Sequence, residues 1–213
     1  MAILLTIIFI LIIAIGIAYL VWMIRVALKR QWRRLIIFVA IPALALGLLY
    51  LWGWTSHQFR YARYLEGLFD TKVVLGPSIY SYDSGRAFNG DGYSIAVYEL
   101  PQSIRDRFTS PDNHLFTEFP KRPDYRSHWK TVYWKQAPFD DSLSIFLEFA
   151  LSAYDAGKTK GLEAHFDAIR TALRKPTTLY ALFYNNPGKY VGNIDLFIVD
   201  LEAGRFYMIN HNT

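Results

Sequence analysis

The chain has 213 residues, a formal net charge of +5 and no cysteine, which allows one compact domain with something added, or two small ones, and excludes disulfides and thiolate-bound metals. The positive charge would suggest nucleic-acid binding if it covered a folded face. It does not: all 18 Asp and Glu and 18 of the 23 Lys and Arg follow residue 54, so the later part is formally neutral and the excess sits in one short segment.

Residues 2–24, AILLTIIFILIIAIGIAYLVWMI, carry no charge. At about 1.5 Å per residue they are long enough for a hydrocarbon core of ~30 Å. A cleaved signal peptide fits them poorly, because there is no basic n-region, the run is too long and no small-x-small site precedes Arg25. Residues 35–54, LIIFVAIPALALGLLYLWGW, also suffice for a span, and their Pro42 and Gly47 are at home in membrane helices. Trp22, Trp32, Tyr50, Trp52 and Trp54 suit the interfaces. Between the runs, residues 25–34, RVALKRQWRR, hold Arg25, Lys29, Arg30, Arg33 and Arg34. Short loops rich in Lys and Arg stay cytoplasmic, so these five residues are the expected topology determinants. Residues 1–54 are then a transmembrane hairpin in a bacterial inner membrane, with the N-terminus and everything after residue 54 extracytoplasmic and the lipid bilayer as first partner.

Residues 55–72 are expected to form a juxtamembrane helix or connector, either continuing the second membrane helix, lying at the interface or packing on the domain, with Thr55 and Gln58 at capping-box spacing. From 73 to 213 the pattern is that of an α+β domain. A strand over 72–82, broken at Gly76-Pro77, leads through a turn-rich stretch, 84–92, to a strand over 93–100. In the latter, Tyr93, Ile95 and Val97 face one way and Ser94, Ala96 and Tyr98 the other. Pro101 suits the first position of a short helix, 101–108. Residues 109–140 read as irregular, with a strand at 128–134. Helices follow over 141–155 (Leu143, Phe146, Leu147, Ala150, Leu151 and Tyr154 on one stripe) and 160–175 (Leu162, Phe166, Ile169 and Leu173 inward). A strand over 178–185 and a hairpin over 193–210, turning at Glu202-Ala203-Gly204, complete the chain. In that hairpin Ile194, Leu196 and Ile198, with Leu201 as a further candidate, read as alternating with polar partners across the turn. The sum is an antiparallel sheet of about five strands carrying two or three helices.

The chemistry-bearing residues are sparse. None of His57, His114, His128, His165 and His211 shares metal-ligand spacing with another, and no GxSxG, Ser-x-x-Lys or P-loop occurs. Asp140-Asp141 reads as an N-cap and first-turn pair. The Gly-rich turn Asn89, Gly90, Asp91, Gly92 offers one carboxylate and backbone groups for an ion, and reads better as glycines serving positive φ in a hairpin. The candidate binding residues are the aromatics Tyr125, Trp129, Tyr133 and Trp134, near Lys130 and Lys135, a composition able to stack a sugar or anchor a protein. No cofactor or metal is expected, and the balance leans away from an enzyme.

The segments AFNGDGYSIAVYEL, HWKTVYWKQAPF and DLFIVDLEAGRFYMINHNT together resemble a broad group of small uncharacterised bacterial proteins, secreted or membrane-attached, with a Gly-Asp-Gly turn and a C-terminal Tyr-rich β-hairpin. The resemblance covers roughly residues 73–213 and implies a fold relationship. The chain departs from the group at Asn89, where His is frequent, and at Ala87, where Gly is frequent, which favours a structural turn. Some such proteins look like candidates for toxin immunity. The expected function is a membrane-anchored extracytoplasmic module binding an envelope protein, most concretely an immunity protein against an envelope-acting toxin. The alternatives are an envelope enzyme or glycan binder using Asp83, Asp91, His128 and His211, and a structural membrane component.

Overall fold

The computed structural model describes residues 2–88, 90–153, 157, 159–186 and 191–213. They form two compact units, Met1–Phe59 and Arg60–Thr213.

The first unit holds helix α1 (Ala2–Leu28) and most of α2 (Trp32–Phe69). Only Lys29, Arg30 and Gln31 lie between them, with Arg30 in the left-handed region at φ 54°. Arg25 therefore belongs to the last turn of α1, and Arg33 and Arg34 to the first turn of α2, so the ten-residue basic loop is mostly helical. The helices pair through the Trp22 ring, edge-on to Phe38 at 3.9 Å, and through the Tyr19 hydroxyl, which donates to the Phe38 carbonyl. Both helices are long and apolar enough to cross a membrane, and almost nothing of the most apolar 18-residue window of each is buried within the protein. Helix α2 runs on past Trp54 without a break, so residues 55–69 continue the second apolar helix. Thr55 does not cap a new helix; its Oγ1 donates back to the Leu51 carbonyl (2.9 Å), as a mid-helix threonine can. The helix stops at Phe69, where Asp70 turns left-handed at φ 54° and its N–H bonds the Glu66 carbonyl (2.9 Å).

The second unit is α+β. Its open sheet has six antiparallel strands, β1 (Tyr80–Arg86), β2 (Gly92–Glu99), β3 (Lys130–Gln136), β4 (Thr178–Asn185), β5 (Asn193–Asp200) and β6 (Arg205–Asn212), in the order β1-β2-β6-β5-β4-β3. Both faces are covered. On one, α5 (Ser144–Ala150) and α6 (Leu162–Ala172) pack Phe146, Leu162, Phe166 and Ile169 against Tyr93, Ile95, Leu196 and Ile209. On the other, the end of α2, α3 (Gln102–Thr109) and α4 (Asn113–Glu118) pack Leu65, Phe69, Ile104, Phe108 and Leu115 against Phe183, Phe197, Val199 and Phe206. Among the described residues the domain thus carries four helices and the end of a fifth on six strands, more than the sequence pattern suggested.

Several boundaries differ from expectation for identifiable reasons. Gly76 and Pro77 precede β1 rather than break it, and β1 continues through Ser84 to Arg86 because Gly85, at φ 72°, carries a bulge between Asp83 and Arg86. Pro101 is the N-cap of α3, in extended conformation, one position before the helix. The stretch 109–140 contains α4, capped by Asp112 through the Leu115 N–H (3.0 Å), and a 3-10 turn at Asp124–Arg126. The helix expected over 141–155 is a 3-10 turn, Asp141–Leu143, followed by α5, and Tyr154 lies outside the described residues. The residues that alternate with Ile194, Leu196 and Ile198 do not face solvent: Phe197 and Val199 are buried against the second helical layer, and Asp195 is buried as well.

Candidate functional site

The four candidate aromatics part company. The pleat of β3 is interrupted by a register shift between Val132 and Lys135. That shift sends Val132 to the α5/α6 face and Trp134 to the α2/α3/α4 face. Trp134 is 1% exposed, and its Nε1–H donates to the Leu68 carbonyl at 2.8 Å, tying β3 to α2. Trp129 is 7% exposed in the same core. Tyr125 at 73% and Tyr133 at 43% remain available to a partner. Tyr133 stands on the outer edge of the sheet, with Lys130, Lys135 and Gln136 exposed on the same strand.

Tyr125 leads into a polar cluster that sequence patterning missed. Arg126, in the 3-10 turn, lies with its guanidinium 4.2 Å from the Trp129 ring centroid and 5.4 Å from that of Tyr125. It forms an ion pair with Asp195 of β5, and Asn210 of β6 donates its amide to the same carboxylate. Burial pushes the Arg126 pKa down from its ordinary value, opposed by Tyr125 and Tyr64. The signal for this cluster was Asp195 itself, a carboxylate set between Ile194 and Leu196 inside NIDLFIVD. A charge in a strand buried on both faces requires a partner.

At the hairpin turn, Asn89 lies outside the described residues. Gly90 has φ 94°, as a hairpin glycine can. Gly92 is a glycine for a different reason than expected: its φ is ordinary, and a Cβ there would come within 2.8 Å of the Gly85 carbonyl oxygen. Asp83 accepts from the Gly85 N–H (2.7 Å), holding the bulge. His128 lies edge-on to Trp129 at 6.5 Å. His211 is buried on β6, stacked on Phe149 (4.1 Å, 4° between planes), with Nδ1 2.8 Å from the Phe149 carbonyl. Burial lowers its pKa, opposed by that carbonyl and by Asp91 nearby. Of the four polar candidates, Asp91 therefore lies near enough to His211 for their charges to interact. Asp140 does cap, accepting from the Ser142 N–H at 3.0 Å. The Ser142 hydroxyl and then Lys135 hold its carboxyl down to about 2. Among the described residues, no three His, Asp or Glu side chains converge where a metal ion could sit.

No known protein family, curated protein or solved structure matches the chain.

Proposed function

We propose that the chain is a membrane-anchored binding module whose domain lies outside the cytoplasm and recognises a protein of the cell envelope. Its most concrete version is an immunity protein against an antibacterial toxin acting there. The observation that carries this reading is the placement of five cations at the turn between two long, apolar, unburied helices. Apolar side chains exposed all round a helix need a medium as apolar as themselves, and a basic turn between two such helices stays with the cytoplasm. A binder that works by location and surface complementarity needs no catalytic group. The partner-facing surface is assigned to the outer edge of β3, where Tyr133 supplies an amphipathic ring with lysines about it.

A reporter pair fused at Thr213, alkaline phosphatase in one case and green fluorescent protein in the other, tests the placement. Phosphatase activity without fluorescence is expected; fluorescence without phosphatase activity would overturn it. A photo-crosslinking amino acid at position 133 then tests the binding surface. It should capture an envelope protein that the same probe at Ala203, on the β5–β6 turn, does not.

A further inference from the structure

Within the first unit, less exposed residues recur at helical spacing on each helix: Tyr19, Met23 and Val26 on α1, and Leu35, Phe38 and Pro42 on α2. Pro42 stands in the interior of α2. A proline there has no N–H for the carbonyl four residues before it, and its ring crowds that carbonyl. The carbonyl concerned is that of Phe38. The Tyr19 hydroxyl, on α1, donates to this same oxygen. The Trp22 ring, one turn further along α1, stands edge-on to the Phe38 ring. In residues 2–24 the hydroxyl side chains are Thr6 and Tyr19. A phenylalanine at position 19 would fill nearly the same space, so the hydroxyl is what the site uses.

We infer that Tyr19 is a latch on a hinge in α2: its hydroxyl supplies the hydrogen bond that Pro42 cannot, and so holds residues 38–42 to α1. The apolar setting rests on the membrane anchoring proposed above. At an aqueous surface water would serve the freed carbonyl. A hydrocarbon core holds no water, and a proline is tolerated in a membrane helix where a neighbouring group satisfies the backbone it frees. An interior proline is also a usual place for a helix to bend. The hairpin therefore has two states. When latched, the Phe38 carbonyl is satisfied and α2 passes its proline tied to α1. When unlatched, carbonyl and hydroxyl both lose a partner, and α2 is free to bend between Phe38 and Pro42. The cost of two unpaired polar groups in an apolar medium keeps the latched state dominant. Nothing in the device depends on charge: donor, acceptor and proline are all neutral groups.

The absence of native cysteine permits a direct test on the full chain. Leu11→Cys on α1 and Leu46→Cys on α2, both at exposed positions, carry nitroxide spin labels in phosphatidylethanolamine–phosphatidylglycerol vesicles. Leu46 lies beyond Pro42 from the turn, so the distance between the labels, read by double electron–electron resonance, reports bending at the hinge. One narrow distance is expected in the labelled parent. Tyr19→Phe, which keeps the ring and removes the donor, should lose that narrow distribution to a broad one. Pro42→Ala restores an N–H to the Phe38 carbonyl, so adding it to Tyr19→Phe should bring the narrow distance back. A Tyr19→Phe distribution as narrow as the parent's, in protein that resists carbonate extraction, would overturn the latch and leave the anchoring intact. A distribution that stays broad in Tyr19→Phe/Pro42→Ala would overturn it too, since Tyr19 would then act by packing rather than through the proline-freed carbonyl. Extraction of the chain by carbonate would overturn the anchoring and the latch with it, because water could then serve the carbonyl.

Discussion

Asp195→Leu should be among the most damaging single substitutions in the domain, and pairing it with Arg126→Met should repair most of the harm. The Asp195 side chain is 4% exposed and that of Arg126 14%. Removing one partner of a buried ion pair costs about 3–5 kcal/mol, because the survivor keeps its desolvation penalty and loses its counter-charge. Two features of the site pull toward the lower end. The guanidinium still rests on the Trp129 ring at 4.2 Å, and a cation–π contact there recovers about 0.5–2 kcal/mol. Its side chain also retains a little water. A loss of about 3 kcal/mol is therefore expected for Asp195→Leu. In Arg126→Met/Asp195→Leu no charge is stranded, and apolar replacement of a buried pair is often neutral. The remaining cost is the Asn210 amide, which loses its acceptor on Asp195 while its carbonyl still accepts from Asn212 (2.8 Å). That is about 1 kcal/mol for a half-buried group. The coupling energy of the cycle is thus about 2 kcal/mol or more. Guanidinium chloride unfolding of the full chain in detergent, followed by tryptophan fluorescence, reads the domain because Trp129 and Trp134 both lie in the core beside the cluster. The reasoning fails if Asp195→Leu costs under about 1 kcal/mol, or if the double variant is no more stable than that single one.

The same assay checks three further expectations. Trp134→Phe removes the indole N–H from the Leu68 carbonyl and leaves that oxygen buried without its donor, a loss of about 1–3 kcal/mol; an unchanged midpoint would mean the bond contributes nothing. Gly92→Ala should destabilise more than Gly90→Ala, because the first drives a Cβ to 2.8 Å from a backbone oxygen while the second meets open space and costs only the left-handed strain of about 1–2 kcal/mol. The reverse order would refute the tight β1–β2 crossing. His211 has a folded pKa below the model-peptide value of 6.5, so the unfolded chain binds the proton more readily. Its contribution to stability is complete above about pH 6.5 and is lost as the pH falls through the folded pKa. Unfolding midpoints should accordingly drop between pH 7 and pH 5, and His211→Gln should flatten that slope; an equally steep slope in the variant would remove His211 as its source.

What the sequence disclosed depended on how each element meets its surroundings. Strand β2 was legible in detail, because Tyr93, Ile95 and Val97 are buried while Ser94, Ala96 and Tyr98 are half-exposed, so period-two alternation survives. Helix α6 was equally plain, with Leu162, Phe166, Ile169 and Leu173 inward as their spacing required. Strand β5 hid half its role, since a strand covered on both faces is apolar throughout and its alternation vanishes. The short α4 and the 3-10 turns depend on caps and tertiary contacts rather than period, so the proline-rich stretch concealed them.

The aromatic cluster shows how little must go unread for a site to be misdrawn. Spacing alone gives Tyr133 and Trp134 opposite faces, but not which face is core, and one register irregularity between Val132 and Lys135 settles it. That irregularity commits Trp134 to the Leu68 carbonyl and leaves Tyr133 outside. Asp195 carried the opposite lesson. It demanded a buried cation from somewhere in the chain, but its partner sits 69 residues earlier in a loop that also offers Lys121 and Arg122. Only the packing of that loop against β5 selects Arg126, and the same packing places Trp129 inside and Tyr125 outside. The guanidinium of the buried ion pair lies against both rings of the 125–129 segment, the buried Trp129 and the exposed Tyr125. Breaking it should change the exposure of Tyr125 and Trp129 together, a consequence that iodide quenching of Trp129 in the Asp195→Leu variant would reveal before the domain unfolds.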